Sequence, residues 1–420
     1  MRSLRTRDLE GKKAVIVAVG KDEEKIKESL EEMKGLCKTL GVEVVEWLWQ
    51  KRAKPDPATY LGKGKLQKLK EVVEFCEADL VVVDDEITPV QYKNMQEELN
   101  IDVLDRTQVI LEIFARHATS EEGKLQVEMA SLLYELPRLV GKGEELSRLG
   151  GGIGTRGPGE PLLEVLRRHI KNRIAQLRKR LKEIEQERNT QRKQRLEKKI
   201  PHVSIVGYTN AGKSTLLKVL TDSDVYVADK LFATLEPVTR RLKLKSGRVV
   251  LVSDTVGFIR KLPHTIVSAF KATLEEIKYS DVLIHLVDAS DPYLEEKMKA
   301  SERVLEEIGA DKIPRILVFN KIDLCPRERI ETLKWKYPEA LFISAEKRIG
   351  LDQLLDTLEE IMGQKDIQET LKVPLEKIGQ IYALKDRLEI LNEDYGEGYA
   401  LITLKTDRET LEMLKRKVAS

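Results

Sequence analysis

Residues 202–215 read HVSIVGYTNAGKST, and the reading of this stretch decides the fold. An apolar run from His202 to Val206 leads into G-x-x-x-x-G-K-S, which starts at Gly207, and TLLKVL (215–220) continues with helical composition. A strand, a glycine loop and a helix in this order make a phosphate cradle. Successive backbone N–H groups turn inward around one anion, and the helix start favours negative charge. The residues expected to line the phosphates are Gly207, Tyr208, Thr209, Asn210, Ala211, Gly212, Lys213, Ser214 and Thr215. Lys213 reaches the β and γ oxygens, and Ser214 offers its hydroxyl to a magnesium ion.

Downstream, three more strand ends complete a nucleotide site. RVVLVSDTVG (248–257) is an apolar run closing on Asp254, Thr255, Val256 and Gly257. The Asp254 carboxylate suits magnesium held through water, and the Gly257 N–H can sense a γ-phosphate. RILVFNKID (315–323) ends in Asn320, Lys321, Ile322 and Asp323. Asp323 can accept from both N1–H and the exocyclic amine of guanine, an arrangement adenine does not offer. LFISAEK (341–347) brings Ser344, Ala345 and Glu346, where a backbone N–H can meet the guanine O6. Four such elements in this order predict a doubly wound α/β P-loop domain over 201–364 that binds GTP and GDP and acts as a GTPase. A magnesium-binding threonine is also expected in LFATLEPVTR (231–240), either Thr234 or Thr239.

The rest of the chain reads as three further parts. Over 1–118, KAVIVAVG (13–20), VEVVEWLW (42–49), DLVVVDD (79–85) and IDVLD (101–105) have strand character, with helical stretches between them. That is a βαβ pattern and predicts a parallel sheet. Gly62 and Gly64 precede a helix there, which fits either a plain turn and helix start or an anion site at the helix N-terminus. Over 119–200, Leu125, Met129, Leu132, Leu136 and Leu139 form a stripe, and Leu166, Ile170, Ile174, Leu177, Leu181 and Ile184 form another. Two such stripes separated by a loop predict an antiparallel helical hairpin. After Gly363 a linker-like stretch leads into a small α/β domain over 365–420, in which RLEILNEDYGEGYALITLKT forms two strands around a turn.

The loop of the hairpin, RLGGGIGTRGPGE (148–160), contains a literal G-x-G-x-x-G at 152–157. A dinucleotide fingerprint needs a buried strand before it and a helix on it. VGKGEELSR precedes it and Pro158 and Gly159 follow it, so neither condition is met. From 164 to 200 there are 14 Lys/Arg against 5 Glu, a local net of +9 in a chain whose total is +2. One basic arm on an otherwise acidic body points to a polyanionic partner. The residues expected to face RNA are Arg148, Gly150, Gly151, Gly152, Gly154, Arg156, Gly157, Gly159, Arg167, Arg168 and Lys171. Glycines let backbone approach RNA closely, and the cations pair with phosphates.

Charged residues make up 34% and hydrophobic ones 41%, and no apolar run reaches the roughly 18 residues of a membrane span. Cys37, Cys76 and Cys325 are scattered without C-x-x-C. A cytoplasmic, monomeric protein without disulfides or structural zinc is expected.

With FATLEP (232–237), DTVGFI (254–259) and GGIGTRGPGE (151–160) together, the chain resembles the HflX family of GTPases along nearly its full length. The resemblance implies binding to the large ribosomal subunit and its RNA, and separation of stalled or idle ribosomes. Resemblance to Obg-like GTPases favours Thr234 as the switch threonine, placing Phe232, Ala233, Leu235 and Glu236 beside it at the nucleotide. The family continues its loop G-P-G-E-T-Q-L-E, whereas Pro161 and Leu162 stand here for Thr and Gln. Polar contacts from those two positions are therefore in question. Phe258 occupies the place where Ras-like switches carry the water-orienting glutamine. Asn210 matches the asparagine that coordinates potassium in some GTPases lacking that glutamine, so the expected cofactors are magnesium and, as a second candidate, potassium. Two other functions fit the same motifs: an assembly or RNA-modification GTPase of the Obg or Era type, and a nucleotide-gated RNA-binding module with incidental turnover.

Overall fold

The computed structural model describes residues 7–139, 162–198, 200–222, 231–232, 237–261, 263, 266, 269–270, 274, 276–363 and 366–419. The chain divides into two compact units. One comprises Met1–Arg188, Ala228–Glu236 and Ile259–Thr273, the other Asn189–Val227, Pro237–Phe258 and Leu274–Ser420.

The first unit is built on a parallel sheet of β1 (Lys13–Gly20), β2 (Glu43–Lys51), β3 (Leu80–Val83) and β4 (Asp102–Asp105), in the order β2-β1-β3-β4. Helices α1 (Glu23–Thr39), α2 (Lys63–Phe75), α3 (Pro89–Leu99) and α4 (Arg106–His117) connect or follow the strands. Val15, Val17, Val81 and Val83 bury one sheet face with Leu66 and Leu69 of α2 and Met95 and Leu99 of α3. Helix α1 packs on β1, β2 and α4. Helix starts follow local chemistry: Thr88 with Gln91, and Asp105 with Gln108, form reciprocal capping boxes on α3 and α4. Helix α4 is an element the sequence patterns above do not single out.

The hairpin pairs α5 (Glu121–Arg138) with α6 (Leu162–Lys198). Arg173 grips Glu128 through two bonds of 2.6 and 2.9 Å, and Arg180 bonds Glu121 at 3.1 Å. Partners that rise along one helix fall along the other, so the helices are antiparallel. At 37 residues, α6 is about 55 Å long. Of the expected stripes, Met129, Ile174 and Leu177 are buried, while Leu125, Leu132 and Leu136 are half-buried. Val127, Ala130 and Tyr134, off that stripe, are buried as well, because α5 also packs on α4.

Segments that the sequence places among the nucleotide motifs belong to this unit. Phe114 of α4 meets Phe232 edge-on at 4.8 Å and Phe270 at 5.0 Å between centroids. Lys261 donates to Asp85 and to Asp84, and Arg260 pairs with Glu28.

The second unit holds a six-stranded sheet: β5 (His202–Gly207), β6 (Val238–Lys243), β7 (Val249–Asp254), β8 (Val282–Asp288), β9 (Arg315–Asn320) and β10 (Leu341–Phe342). Their order is β10-β9-β8-β5-β7-β6, parallel except for β6 against β7. Around it lie α7 (Lys213–Thr221), α8 (Leu294–Glu307), α9 (Arg327–Lys336) and α10 (Leu351–Gly363). Val203, Ile205, Val252, Ile284 and Val318 are fully buried in the strands, and Leu216, Leu354 and Leu358 cover them from α7 and α10. This is the doubly wound α/β architecture the sequence predicts.

The C-terminal part contains β11 (Asp366–Pro374), the short α11 (Ile378–Tyr382), β12 (Glu389–Tyr395), β13 (Tyr399–Asp407) and α12 (Arg408–Ala419). The sheet is antiparallel with β13 in the middle. The stretch read as a linker is therefore the nine-residue strand β11, paired along its whole length with β13. Its alternation is weak locally, since only Leu371 and Val373 are buried. The partner strand supplies what the local pattern lacks.

Candidate nucleotide site

Gly207 ends β5 and Lys213 begins α7, so the loop between them turns at the carboxyl end of the sheet. Ligands in such sheets bind at that edge. Backbone crowding explains the glycines. A Cβ on Gly207 would stand 2.2 Å from Leu286 O, and one on Gly212, at φ +93°, would stand 2.4 Å from Asn320 Nδ2. Lys213 is buried, and its ammonium donates to Tyr208 O at 2.9 Å. Burial pulls its pKa down to about 8, with nearby Lys321 adding to the fall and Asp254 opposing it. A buried ammonium so placed gains strongly from an anion.

Ser214 Oγ donates to Asp254 Oδ2 at 2.6 Å, joining the start of α7 to the end of β7. A hydroxyl and a buried carboxylate form an all-oxygen set that fits a hard divalent cation. A Cβ on Gly257 would lie 2.9 Å from Lys213 Nζ and 2.8 Å from Thr209 Cγ2, which puts the Gly257 backbone against the buried lysine. Thr255 Oγ1 donates to Ile205 O at 2.8 Å, and Val256 is buried. Phe258 is 1% exposed. Its N–H donates to Gly207 O at 3.0 Å and its carbonyl accepts from Thr209 N at 2.8 Å. The residue after Gly257 is thus locked to the loop, with its ring inside.

Asn320 is 2% exposed and ties two loops together: Nδ2 donates to Ala211 O at 2.9 Å, and Oδ1 accepts from Ala345 N at 2.9 Å. The phosphate loop and the Ser344–Ala345 loop are thereby held through one side chain. Ser344 is buried, exchanges backbone bonds of 3.0 Å with Ile349 and accepts from Lys347 N, while Glu346 is exposed. Lys321 has φ +62°, Ile322 N donates to Ile343 O at 3.3 Å, and Asp323 lies exposed in a short 3-10 turn. Asn210 is exposed at φ +62°.

Thr239 lies within β6 with its hydroxyl 2.6 Å from Ser253 Oγ, so strand packing accounts for it. Phe232 is buried against Phe114 in the N-terminal unit. Ala233, Thr234, Leu235 and Glu236 fall outside the described residues, as do Arg148, Gly150, Gly151, Gly152, Gly154, Arg156, Gly157 and Gly159. Arg167, Arg168 and Lys171 lie on α6. Arg168 and Lys171 are exposed, and Arg167 is 3.9 Å from Glu164. No described helix is long and apolar enough to cross a membrane.

One residue at this edge escapes the motif reading. Asp288 ends β8, in register with Asn320, and pairs with Lys321 Nζ at 2.7 Å. Its sequence signal was a carboxylate closing the apolar run VLIHLVD, the same pattern that marks Asp254.

Comparison with known proteins extends these observations. Family models described as GTP-binding GTPase N-terminal, GTP-binding GTPase Middle Region and 50S ribosome-binding GTPase match residues 27–115, 117–195 and 202–321. GTPase HflX of Caldanaerobacter subterraneus subsp. tengcongensis is 49% identical over 97% of this chain and 94% of its own. GTPase HflX of Escherichia coli K12 is 40% identical over 94% and 93%. Among solved structures, a GTP-binding protein from Sulfolobus solfataricus in complex with GDP is 30% identical, covering 83% of this chain and 98% of that one, with a TM-score of 0.43. Sharing two-fifths to about a half of its residues with the two HflX relatives along almost their whole length, the chain belongs to the HflX family of GTPases, P-loop enzymes that bind and hydrolyse GTP.

Proposed function

We propose that the protein binds the large ribosomal subunit and uses GTP to separate stalled or idle ribosomes. The observation that carries this reading is the charge of one segment, most of which is helix α6. The segment 164–200 holds a net +9 while everything outside it sums to −7. Such a cationic rod supplies the sequence-independent attraction that ribosomal RNA demands. The glycine-rich stretch 148–160, which precedes this segment in sequence and contains Arg148 and Arg156, adds further cations for the same partner. The family model that matches residues 202–321, described as 50S ribosome-binding GTPase, agrees with it.

At the nucleotide, the backbone of 207–213 wraps the β-phosphate and the Lys213 ammonium pairs with β and γ oxygens. Asp323 reads the guanine edge, and Ala345 N–H meets O6. Ser214, Thr234 and Asp254 would hold a magnesium ion, which would supply charge neutralisation at the phosphate oxygens. Gly257 N–H senses the γ-phosphate, and the Phe258 ring leaves the attacking water without a side-chain partner on that side. Ordered switches then dock the factor, and hydrolysis releases it.

Sedimentation of ribosomes with the full chain and GTP, GDP or a non-hydrolysable GTP analogue tests this. Expected are co-sedimentation with large subunits and a loss of 70S particles with the analogue. Binding to precursor particles alone would assign the protein to assembly instead, and no co-sedimentation in any nucleotide state would end the ribosomal reading.

A further inference from the structure

The pair between Asp288 and Lys321 has no place in the phosphate or guanine-edge contacts above. Asp288 is oriented before the lysine arrives. Its Oδ1 accepts from Ser290 N at 2.9 Å and from Ser290 Oγ at 2.6 Å, leaving Oδ2 for Lys321 Nζ at 2.7 Å. The turn that carries it is braced in turn. Arg329 Nε donates to Ala289 O at 2.6 Å, Tyr293 N donates to Asp291 Oδ1 at 2.8 Å, and Ala289 N donates to Asn320 O at 2.8 Å. Lys321, by contrast, stands on a left-handed backbone at φ +62° and bears one of the most rotamer-rich side chains. Left alone, its four-carbon stem would sample many positions.

We propose that Asp288 is a positioning residue of the guanine site: by fixing the Lys321 ammonium, it holds the lysine stem as a standing apolar wall against the purine face. This rests on the reading that Asn320 to Asp323 face the base. Two physical reasons support it. Holding the stem in advance removes an ordering cost from nucleotide binding. The two Ser290 bonds to Oδ1 also leave the Asp288 carboxylate one oxygen, Oδ2, with which to hold the ammonium, so the lysine is fixed in a single direction. A wall acts on the face of the purine and is indifferent to its edge. Asp288 therefore governs how tightly any purine is held, while Asp323 governs which one.

Equilibrium binding of fluorescent GDP and IDP to the full chain, with kcat and KM for GTP, tests the proposal. Asp288→Asn should weaken GDP by about tenfold and IDP by the same factor, raise KM, and leave kcat within about twofold. Asp288→Glu should recover most of the loss. In a Lys321→Met background, where the stem carries no ammonium to be fixed, Asp288→Asn should add nothing further. Wild-type affinity in Asp288→Asn, or an equal loss with and without Lys321, would overturn the proposal. The melting temperature of nucleotide-free protein separates a fold defect from a binding one, and the Lys321→Met pair keeps the comparison valid if Asp288→Asn alone is unstable. Asp323→Asn serves as the control on the base site. If it fails to shift binding from GDP to XDP, the reading of the base site falls; if it shifts while Asp288→Asn is silent, only the proposal for Asp288 falls.

Discussion

Lys261 donates to Asp85 Oδ1 across 2.7 Å, anchoring the chain three residues beyond Phe258 to the end of β3. The same ammonium reaches Asp84 Oδ2 at 3.1 Å and Asp84 O at 3.2 Å. Asp84 is fully buried, and burial raises its pKa to about 6 although Lys261 opposes the rise. Arg106 Nη1 holds its other oxygen at 2.7 Å and gives a second bond, from Nη2, to Arg260 O at 3.0 Å. Residues on both sides of this contact therefore share one charge network within the N-terminal unit.

Lys261→Met should release the 259–261 backbone from that network. Amide exchange at Arg260 and Lys261 should quicken by about tenfold or more, and stability should fall by about 1–2 kcal/mol, a value kept low because the lysine is half exposed. The pKa of Asp84 should climb further. A carboxyl whose folded pKa is raised makes the folded state less stable as pH rises through the interval between its unfolded and folded values. In the wild type that interval runs from 3.8 to about 6. In the variant the decline should continue to higher pH, as denaturation curves at pH 4 to 8 would record. Unchanged exchange together with an unchanged pH profile would show that Lys261 anchors nothing.

Nucleotide affinity should depend on Lys213 with a definite sign. In the free protein its ammonium loses its proton near pH 8, below the ordinary lysine value, because it is buried. An anionic phosphate beside it holds the proton in the bound state. Above about 8, then, binding takes up a proton, and GDP affinity should fall with rising pH by up to about tenfold per unit. Below that pH it should stay flat. Titration calorimetry in two buffers of different ionisation enthalpy at pH 8.5 checks it, since proton uptake makes the heats differ. Identical heats would place the lysine charged in both states.

Hydrolysis by the chain alone should be slow. The Phe258 ring is buried and its backbone is bonded to Gly207 and Thr209, so it cannot swing out to orient water. Charge or orientation must come from elsewhere, a contribution worth roughly 10³–10⁵ in rate when an arginine finger supplies it. We expect strong stimulation by large subunits, and higher rates in potassium than in sodium if Asn210 coordinates the ion. Fast turnover without ribosomes would sink the first expectation. Equal rates in both salts, with a silent Asn210→Ala, would remove the second.

Deleting residues 150–159 should leave GDP affinity intact and abolish ribosome separation, because the deleted stretch lies in sequence outside the nucleotide motifs. Ribosome binding by the intact chain should weaken steeply with salt, as several lysine and arginine contacts to phosphate require. A deletion variant that still separates ribosomes, or binding indifferent to salt, would count against the RNA-facing role of the hairpin.

The phosphate loop was legible in the sequence because its demands are local. Gly207 and Gly212 meet backbone or buried side chains at distances no Cβ tolerates, and the apolar run before them has no other use than a central strand. The same holds for Asp254 and Asn320, polar residues closing buried strands, and for the parallel sheet of the N-terminal unit. Where the outcome depends on partners distant in the chain, local pattern falls silent. Strand β11 has only two buried apolar side chains and becomes a strand because β13 pairs with it. Asp288 finds Lys321 thirty-odd residues later only once β8 and β9 lie side by side. Phe232, expected from the sequence at the nucleotide, is packed by Phe114 in the N-terminal unit, and Arg260 and Lys261, which follow the DTVGFI motif, are held there by Glu28, Asp84 and Asp85. The physical reason is common to all three. Glycine geometry and strand hydrophobicity act within a few residues, whereas strand pairing, burial of charge and aromatic packing take their energy from groups that only the folded chain brings together.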